Sequence, residues 1–218
     1  KGINVSRILH TLGIPTTAMG FVAGFTGQAL ERSLSEAGIP TDLVHLREGA
    51  TRINVKLKAE CETEINAAGP AVPSDAAESL LSKLDRLRAG DTLVLAGSVP
   101  PSLPADIYMK ILERLSGRGI RFVIDAERSL LTDCLCYKPF LIKPNRQELS
   151  DITGQELVSE KDVEQAARQL RERGAINVLV SRGKDGALLV DEHGTLRHAP
   201  AVGGAPINTV GAGDSMVA

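Results

Sequence analysis

The run Asn208-Thr-Val-Gly-Ala-Gly-Asp-Ser215 puts two glycines and a carboxylate within a few residues of each other. Gly211 and Gly213, lacking a Cβ, let backbone N–H groups come close to an anion. The apolar residues 216–218 follow at once, so a helix is predicted to begin there, adding unpaired N–H groups and positive dipole character. A carboxylate beside such a site, Asp214, can take a proton from a hydroxyl that attacks a phosphoryl group. A bare G-x-G-D run is more simply a turn with Asp as a cap; the company it keeps decides between the two. Ile142-Lys-Pro-Asn-Arg-Gln-Glu148 is the second constellation. Pro144 ends a strand and Asn145 opens a helix, which places Asn145 and Glu148 beyond the carboxyl edge of a sheet, where open α/β sheets bind ligands. Their oxygens suit a hydrated Mg²⁺. The same spacing is that of a helix capping box, and the two roles are compatible.

Three weaker signals accompany these. Val180-Ser-Arg-Gly-Lys-Asp-Gly186 is a turn between apolar strands, a hairpin by default and alone only a slight indication of a nucleotide contact. Lys1 and Asn4 stand near the start of a helix, and Arg52 and Lys56 are expected on one face of a hairpin. A guanidinium pairs bidentately with phosphate, whereas solvated surface charge is the alternative, evenly weighed for Lys56. Gly97-Ser98 forms a loop after an apolar strand, its hydroxyl free to bind a sugar or to cap a turn.

Elements of two periods must position these residues. Val5, Ile8, Leu9 and Leu12 recur at helical spacing until Gly13 and Pro15. Residues 17–23 read as a strand, and Leu30, Leu34 and Ala37 mark the next helix. Ser74 is placed to cap a helix carrying Leu80, Leu81, Leu84 and Leu87. Pro104 fits the first turn of a helix carrying Ile107, Ile111, Leu112 and Leu115. Residues 92–96, 121–125, 140–143, 176–181 and 187–191 are short apolar strands, with helices near 130–135 and after Ser159. Strand alternating with helix predicts a mostly parallel sheet covered on both faces, an α/β fold. Residues 52–57 and 62–66 instead alternate polar and apolar around a turn at 58–61, which predicts an inserted antiparallel hairpin with one wet face.

Composition bounds the function. The chain has 218 residues, 43% hydrophobic and 24% charged, with net charge −2. That is a globular balance with no sequence-independent hold on nucleic acid. No apolar run approaches the ~20 residues of a membrane helix, so neither nucleic acid nor membrane is an expected partner. The cysteines, Cys61, Cys134 and Cys136, show no zinc spacing, and a reduced, cytoplasmic protein is the simplest expectation. Cys134-Leu-Cys136 reads as core rather than metal site. Neither G-x-G-x-x-G after a strand nor a P-loop occurs, which disfavours an NAD-linked enzyme and a P-loop NTPase. The chain begins on Lys and is expected to be a piece of a longer protein, without activity by itself.

Together, Lys1-Gly-Ile-Asn-Val-Ser-Arg7, Thr51-Arg-Ile-Asn-Val-Lys56, Glu62-Thr-Glu-Ile-Asn66, Gly69-Pro70, Gly97-Ser98, Lys143-Pro-Asn-x-x-Glu148 and Gly211-Ala-Gly-Asp214 occur in an order that resembles the ribokinase-like sugar kinases of the phosphofructokinase B family. Within it the pattern is most similar to the 1-phosphofructokinase group, then to tagatose-6-phosphate kinases. The resemblance implies a three-layer α/β/α ribokinase-like domain over residues 1–218, with a small β lid formed by the hairpin at about 50–68. It implies ATP- and Mg²⁺-dependent phosphorylation of fructose 1-phosphate to fructose 1,6-bisphosphate; a catalytically silent sugar-phosphate-binding protein is the alternative of another class. Asp214 would be the base, and Gly211, Ala212 and Gly213 the anion hole. Asn145 and Glu148 would hold Mg²⁺ through waters, Ser181, Gly183 and Gly186 would contact ATP, and Lys1, Asn4, Arg52 and Ser98 would bind the phosphosugar. The lid would pair with a second copy in a homodimer. The chain departs from the family pattern at Ala96, at Ser102 and at Asp125-Ala-Glu-Arg128, where Asp-Thr-Ser-Gly is usual.

Overall fold

The computed structural model describes residues 1–58, 62–204 and 211–218. Contacts divide the chain into two compact units, one of residues 1–5, 87–98 and 106–218, the other of residues 6–86 and 99–105.

The first unit is built on a six-stranded sheet. Strands β5 (Thr92–Ala96), β6 (Arg121–Asp125), β7 (Leu141–Ile142) and β8 (Asn177–Ser181) run parallel. Strands β9 (Ala187–Val190) and β10 (Leu196–Ala199) continue it antiparallel, giving the order β10-β9-β8-β7-β6-β5. Ile124, Ile142, Val178, Val180, Leu188 and Val190 are completely buried, as continuous apolar strands require. Helices α4 (Ile107–Leu115), α5 (Arg128–Thr132), α6 (Arg146–Thr153) and α7 (Glu160–Glu172) belong to this unit. Helix α7 shows why it forms: Ser159 and Asp162 make a capping box, and Val163, Ala166, Ala167 and Leu170 bury one stripe. The α/β alternation expected from the sequence is present.

The second unit holds β1 (Ala18–Ala23) parallel to β2 (Thr41–Leu46), with helices α2 (Gly24–Glu36) and α3 (Ser74–Leu84). Ala23, Val44, Leu46, Val72 and Ala76 form its core, flanked by Phe21, Leu80 and Leu103. The unit also contains the antiparallel hairpin of β3 (Val55–Lys58) and β4 (Glu62–Ile65). Helix α1 (Gly2–Thr11) spans the division between units, and a single turn of helix, α8 (Ala212–Ser215), ends the chain.

Several local expectations need correction. Strands β2 and β10 have no counterpart in the sequence reading. Ser74 is the first helical residue of α3, its cap position is Pro73, and no side chain caps it. Pro104 lies three residues ahead of α4 rather than in its first turn. The hairpin shows more than one wet face: Val55, Leu57 and Ile65 are 42–56% exposed. Residues 59–61 of its turn, and with them Cys61, lie outside the described residues. Cys134 is core as expected, whereas Cys136 is exposed. Among the described residues, no cluster of three His, Cys, Asp or Glu residues could hold a metal ion, and no helix is long and apolar enough to cross a membrane.

Candidate active site

Four parallel strands end along one edge of the first unit, and their last residues or following loops carry the polar groups. Ala96 pairs in register with Asp125, and Ile124 with Ile142, so Asp125 and Lys143 are the next neighbours across the ladder. Residues opposed on adjacent strands point to the same face. Beyond β7 the backbone of Asn145 pairs with Ser181, and Ser181 N–H donates to the Pro144 carbonyl at 3.1 Å. Residues expected to serve metal and nucleotide are therefore side by side. Gly97, with φ 100°, turns the chain after β5 and donates its N–H to the Asp125 carbonyl at 3.1 Å. Ser98 follows it and is exposed.

Asp214 lies inside α8, which starts at Ala212 rather than after the aspartate as expected. Gly211 adopts φ 82° at the cap position, a left-handed conformation that disfavours a side chain. The Asp214 residue is only 7% exposed, and its Oδ2 accepts a hydrogen bond from Asn4 Nδ2 at 2.7 Å. Residues 208–210 of the motif lie outside the described residues. A β-carbon on Gly213 would sit 3.5 Å from Lys143 Nζ, which places a buried ammonium directly beside the glycine turn. Lys143 Nζ and Lys1 Nζ each lie 3.3 Å from Asp125 Oδ1. Burial, with the Asp125 charge nearby, pushes the Tyr108 phenol up to about 12, and Tyr108 donates to the Gly97 carbonyl at 3.2 Å.

Asn145 and Glu148 form the expected capping box. Asn145 Oδ1 accepts from Glu148 N–H at 2.8 Å, and Glu148 Oε2 from Asn145 N–H at 2.7 Å. The box uses one of the two carboxylate oxygens of Glu148. The 181–186 segment is the expected hairpin, its turn a short 3₁₀ segment. Gly186 is required there by backbone and by space: its φ is 83°, and a β-carbon would fall 2.0 Å from the Ala199 carbonyl oxygen. Gly183, with φ 59°, faces open space. Arg182, its side chain 6% exposed, pairs with Glu160 and donates to the Asp185 carbonyl, fastening this turn to the start of α7.

Arg52 lies in the second unit. It precedes the hairpin ladder, which begins only at Val55, so it does not share a strand face with Lys56 as expected. With Phe25, Thr51, Gly69 and Pro70 it lines a groove of about 510 Å³. Asp125 and Lys143 join this edge beyond the site residues expected from the sequence. Their signal is present in retrospect: each is a charged residue closing an apolar run at the predicted carboxyl edge.

Comparison with known proteins bears on this geometry. A model of the pfkB family of carbohydrate kinases matches residues 1–218. The chain is 42% identical over 218 residues to the 1-phosphofructokinase of Bacillus subtilis, covering all of this chain and 71% of that protein. It is 39% identical over 219 residues to the D-tagatose-1-phosphate kinase of Bacillus licheniformis, with the same coverage. Among solved structures, it superposes with a TM-score of 0.89 on phosphofructokinase-2 of Escherichia coli in complex with fructose-6-phosphate, at 31% identity, covering 99% of this chain and 72% of that one. With a family match along its whole length, and relatives this similar over all of it, the chain belongs to the pfkB family of carbohydrate kinases.

Proposed function

We propose that the protein is a 1-phosphofructokinase, transferring the γ-phosphoryl group of ATP to the 6-hydroxyl of fructose 1-phosphate. The observation that carries this reading is Asp214: buried, oriented by Asn4, and within one helical turn of the left-handed Gly211, with the Lys143 ammonium beside Gly213. As the 6-oxygen bonds to the γ-phosphorus, its proton passes to Asp214 and the bond to the β-phosphate oxygen breaks, releasing ADP. Such transfer needs position and charge neutralisation more than covalent help. The N–H groups of the 211–213 turn and the Lys143 ammonium supply them at the transferred group. Ser181, Gly183 and Gly186 contact the nucleotide. Lys1 and Ser98 hold the phosphosugar, with Arg52 as a bidentate grip on its phosphate; Asn4 serves the sugar and orients the base.

Asn145 and Glu148 fit a hydrated Mg²⁺, since both offer hard oxygen donors and the capping box leaves one carboxylate oxygen of Glu148 for a metal-bound water. When bound, the ion would supply positive charge to offset that of the phosphates. Such an enzyme works in the cytoplasm, where its ATP is.

D-Tagatose 1-phosphate is a second acceptor to weigh, because a relative at 39% identity bears the name of that kinase. It differs from fructose 1-phosphate only at C4 and presents the same 6-hydroxyl. The test is coupled ADP release by the full-length protein carrying this chain, across fructose 1-phosphate, tagatose 1-phosphate, tagatose 6-phosphate and fructose 6-phosphate. The highest kcat/KM is expected on fructose 1-phosphate. Binding without turnover on every sugar would favour a silent sugar-phosphate-binding protein, against which the oriented Asp214 speaks.

A homodimer through the hairpin completes the reading. Val55, Leu57 and Ile65 stand on one face of a two-stranded ladder and are 42–56% exposed, with Ile53 at 62% beside them. An apolar row on so short a sheet needs covering, and a second copy of the same hairpin offers a matching face. Light scattering should report a dimer, and Leu57→Asp a monomer.

A further inference from the structure

Asp125 is the most deeply buried carboxylate described, 1% exposed at the end of β6. Its Oδ1 is shared by two ammonium groups, Lys1 and Lys143, at 3.3 Å each. Its Oδ2 is buried without a hydrogen-bond partner. One carboxylate facing two cations leaves the cluster with one positive charge in excess. Nothing in that arrangement is an efficient way to stabilise a fold, because taking the Asp125 and Lys143 charges out of water is costly and apolar groups would fill the space as well. Both contacts are also longer than the ~2.7–2.9 Å of a tight ammonium–carboxylate pair, and each ammonium has three N–H donors, so both retain capacity for another anion.

The positions of the two lysines say which anion. Lys143 follows β7 by one residue, in register beside Asp125, with Nζ 3.5 Å from where a β-carbon of Gly213 would be. It therefore lies against the turn that carries Asp214. The stem of Lys1 packs near Gly97, whose β-carbon would be 3.8 Å from that of Lys1, next to Ser98. Gly97 N–H in turn binds the Asp125 carbonyl, and Tyr108 binds the Gly97 carbonyl. Asp125 thus touches both halves of the proposed reaction centre, the phosphoryl side through Lys143 and the phosphosugar side through Lys1.

We propose that Asp125 is a positioning residue for phosphoryl transfer: it pins the Lys143 ammonium beside the 211–213 turn and the Lys1 ammonium beside Gly97, without touching substrate itself. This rests on the kinase reading above. Lys143 then acts in the transition state, where the transferred group must be neutralised, and Asp125 acts only through it. The excess positive charge of the cluster is what the arriving phosphates use.

The test is a double-mutant cycle on kcat, measured by coupled ADP release with the best phosphosugar. Lys143→Met should lower kcat about 10²–10³-fold, the size of losing one preorganised donor at a developing anion. Asp125→Asn, which keeps shape, should lower it about 10–100-fold and raise the phosphosugar KM as Lys1→Met does. The double variant Asp125→Asn/Lys143→Met should match Lys143→Met within about threefold, because Asp125 has nothing left at the phosphoryl group to position. Multiplying losses would overturn the proposal, as would full kcat in Asp125→Asn or in Lys143→Met. Each variant's melting temperature is taken alongside. Should Lys143→Met fail to fold because the buried Asp125 charge is left with the Lys1 ammonium alone, the double variant must restore folding, and its failure to do so refutes the pairing. A wild-type full-length protein carrying this chain that phosphorylates none of the sugars defeats the kinase reading and this proposal with it; an active wild type with multiplying losses defeats this proposal alone.

Discussion

Asp214→Asn separates chemistry from structure more cleanly than any other change in the molecule. The carboxylate is 7% exposed and accepts one hydrogen bond, from Asn4 Nδ2 at 2.7 Å. The amide oxygen of an asparagine can take the same bond from the same donor. What is lost on the structural side is the charge assistance, about half of the bond's strength and so about 1 kcal/mol. For a chain of this size that lowers the melting temperature by about 2–4 °C. What is lost on the chemical side is the proton acceptor, about 10²–10⁴ in kcat, or about 3–5 kcal/mol of transition-state stabilisation. Coupled ADP release with fructose 1-phosphate measures the second, and calorimetric titration of the sugar phosphate should show its affinity little changed. Asn4→Ala provides the companion measurement. It leaves the carboxylate without this donor and should cost about 1.5–3 kcal/mol, roughly tenfold to a hundredfold in kcat. A variant Asp214→Asn within tenfold of wild-type kcat would refute Asp214 as the base. Loss of sugar binding in parallel with kcat would make it a binding residue instead.

Arg52→Ala should raise the phosphosugar KM far more than the ATP KM, since a bidentate phosphate contact is removed; a change confined to ATP would move Arg52 out of the sugar site. Glu148→Gln can keep the capping box through its amide oxygen, so the Mg²⁺ dependence of the rate should shift to higher concentration while the melting temperature holds; the reverse pattern would reduce Glu148 to a cap. Three aspartates are held below the usual carboxylate range: Asp42 by the hydrogen bond from Lys83, Asp162 by the Ser159 N–H and hydroxyl, Asp191 by the Thr195 and His193 N–H groups. Their stabilisation is complete above the unfolded value near ~4 and lost as pH falls through the lower native values, so urea midpoints should drop below pH 4, and an unchanged midpoint from pH 6 to 3 would contradict this. Arg128 has φ 47° where a glycine is at ease; Arg128→Gly should relieve about 1–2 kcal/mol of strain against roughly 0.5–1 kcal/mol of added chain entropy, leaving the melting temperature level or slightly raised, and a clear fall would show that the guanidinium is needed.

The parts of the fold legible in the sequence are those decided within a few residues. Apolar runs such as 92–96 and 121–125 had to be buried strands, and they are β5 and β6. The Asn145–Glu148 spacing is a capping box because its two hydrogen bonds close within one turn. Gly97 and Gly211 stand at the loop and the glycine turn that the sequence indicates, each with a positive φ. Strand β2, Thr41–Leu46, is not legible in the sequence because Asp42 and His45 interrupt its apolar pattern while the parallel partner β1 supplies the pairing. Polar–apolar alternation begins at Arg52, but the hairpin ladder forms only from Val55, so alternation alone does not mark where pairing starts.

The groups that would do the chemistry depend on register, which no local pattern carries. Asn4 and Asp214 meet across 210 positions. Asp125 and Lys143 are neighbours only because β6 and β7 run parallel with Ile124 opposite Ile142; a one-residue slip would send one of them to the other face of the sheet. The same register explains why a two-residue strand, Leu141–Ile142, is enough at this position. Its pairing with β6 and β8 delivers Lys143 to Asp125 on one side and, through Pro144, Asn145 to Ser181 on the other. The carboxyl edge of a parallel sheet suits phosphoryl transfer for this reason: each strand fixes its last side chain against its neighbour's, so charges contributed by distant segments are set at one place before substrate arrives. Preorganisation of this kind is what an electrostatic catalyst needs, and here it follows from which strand pairs with which.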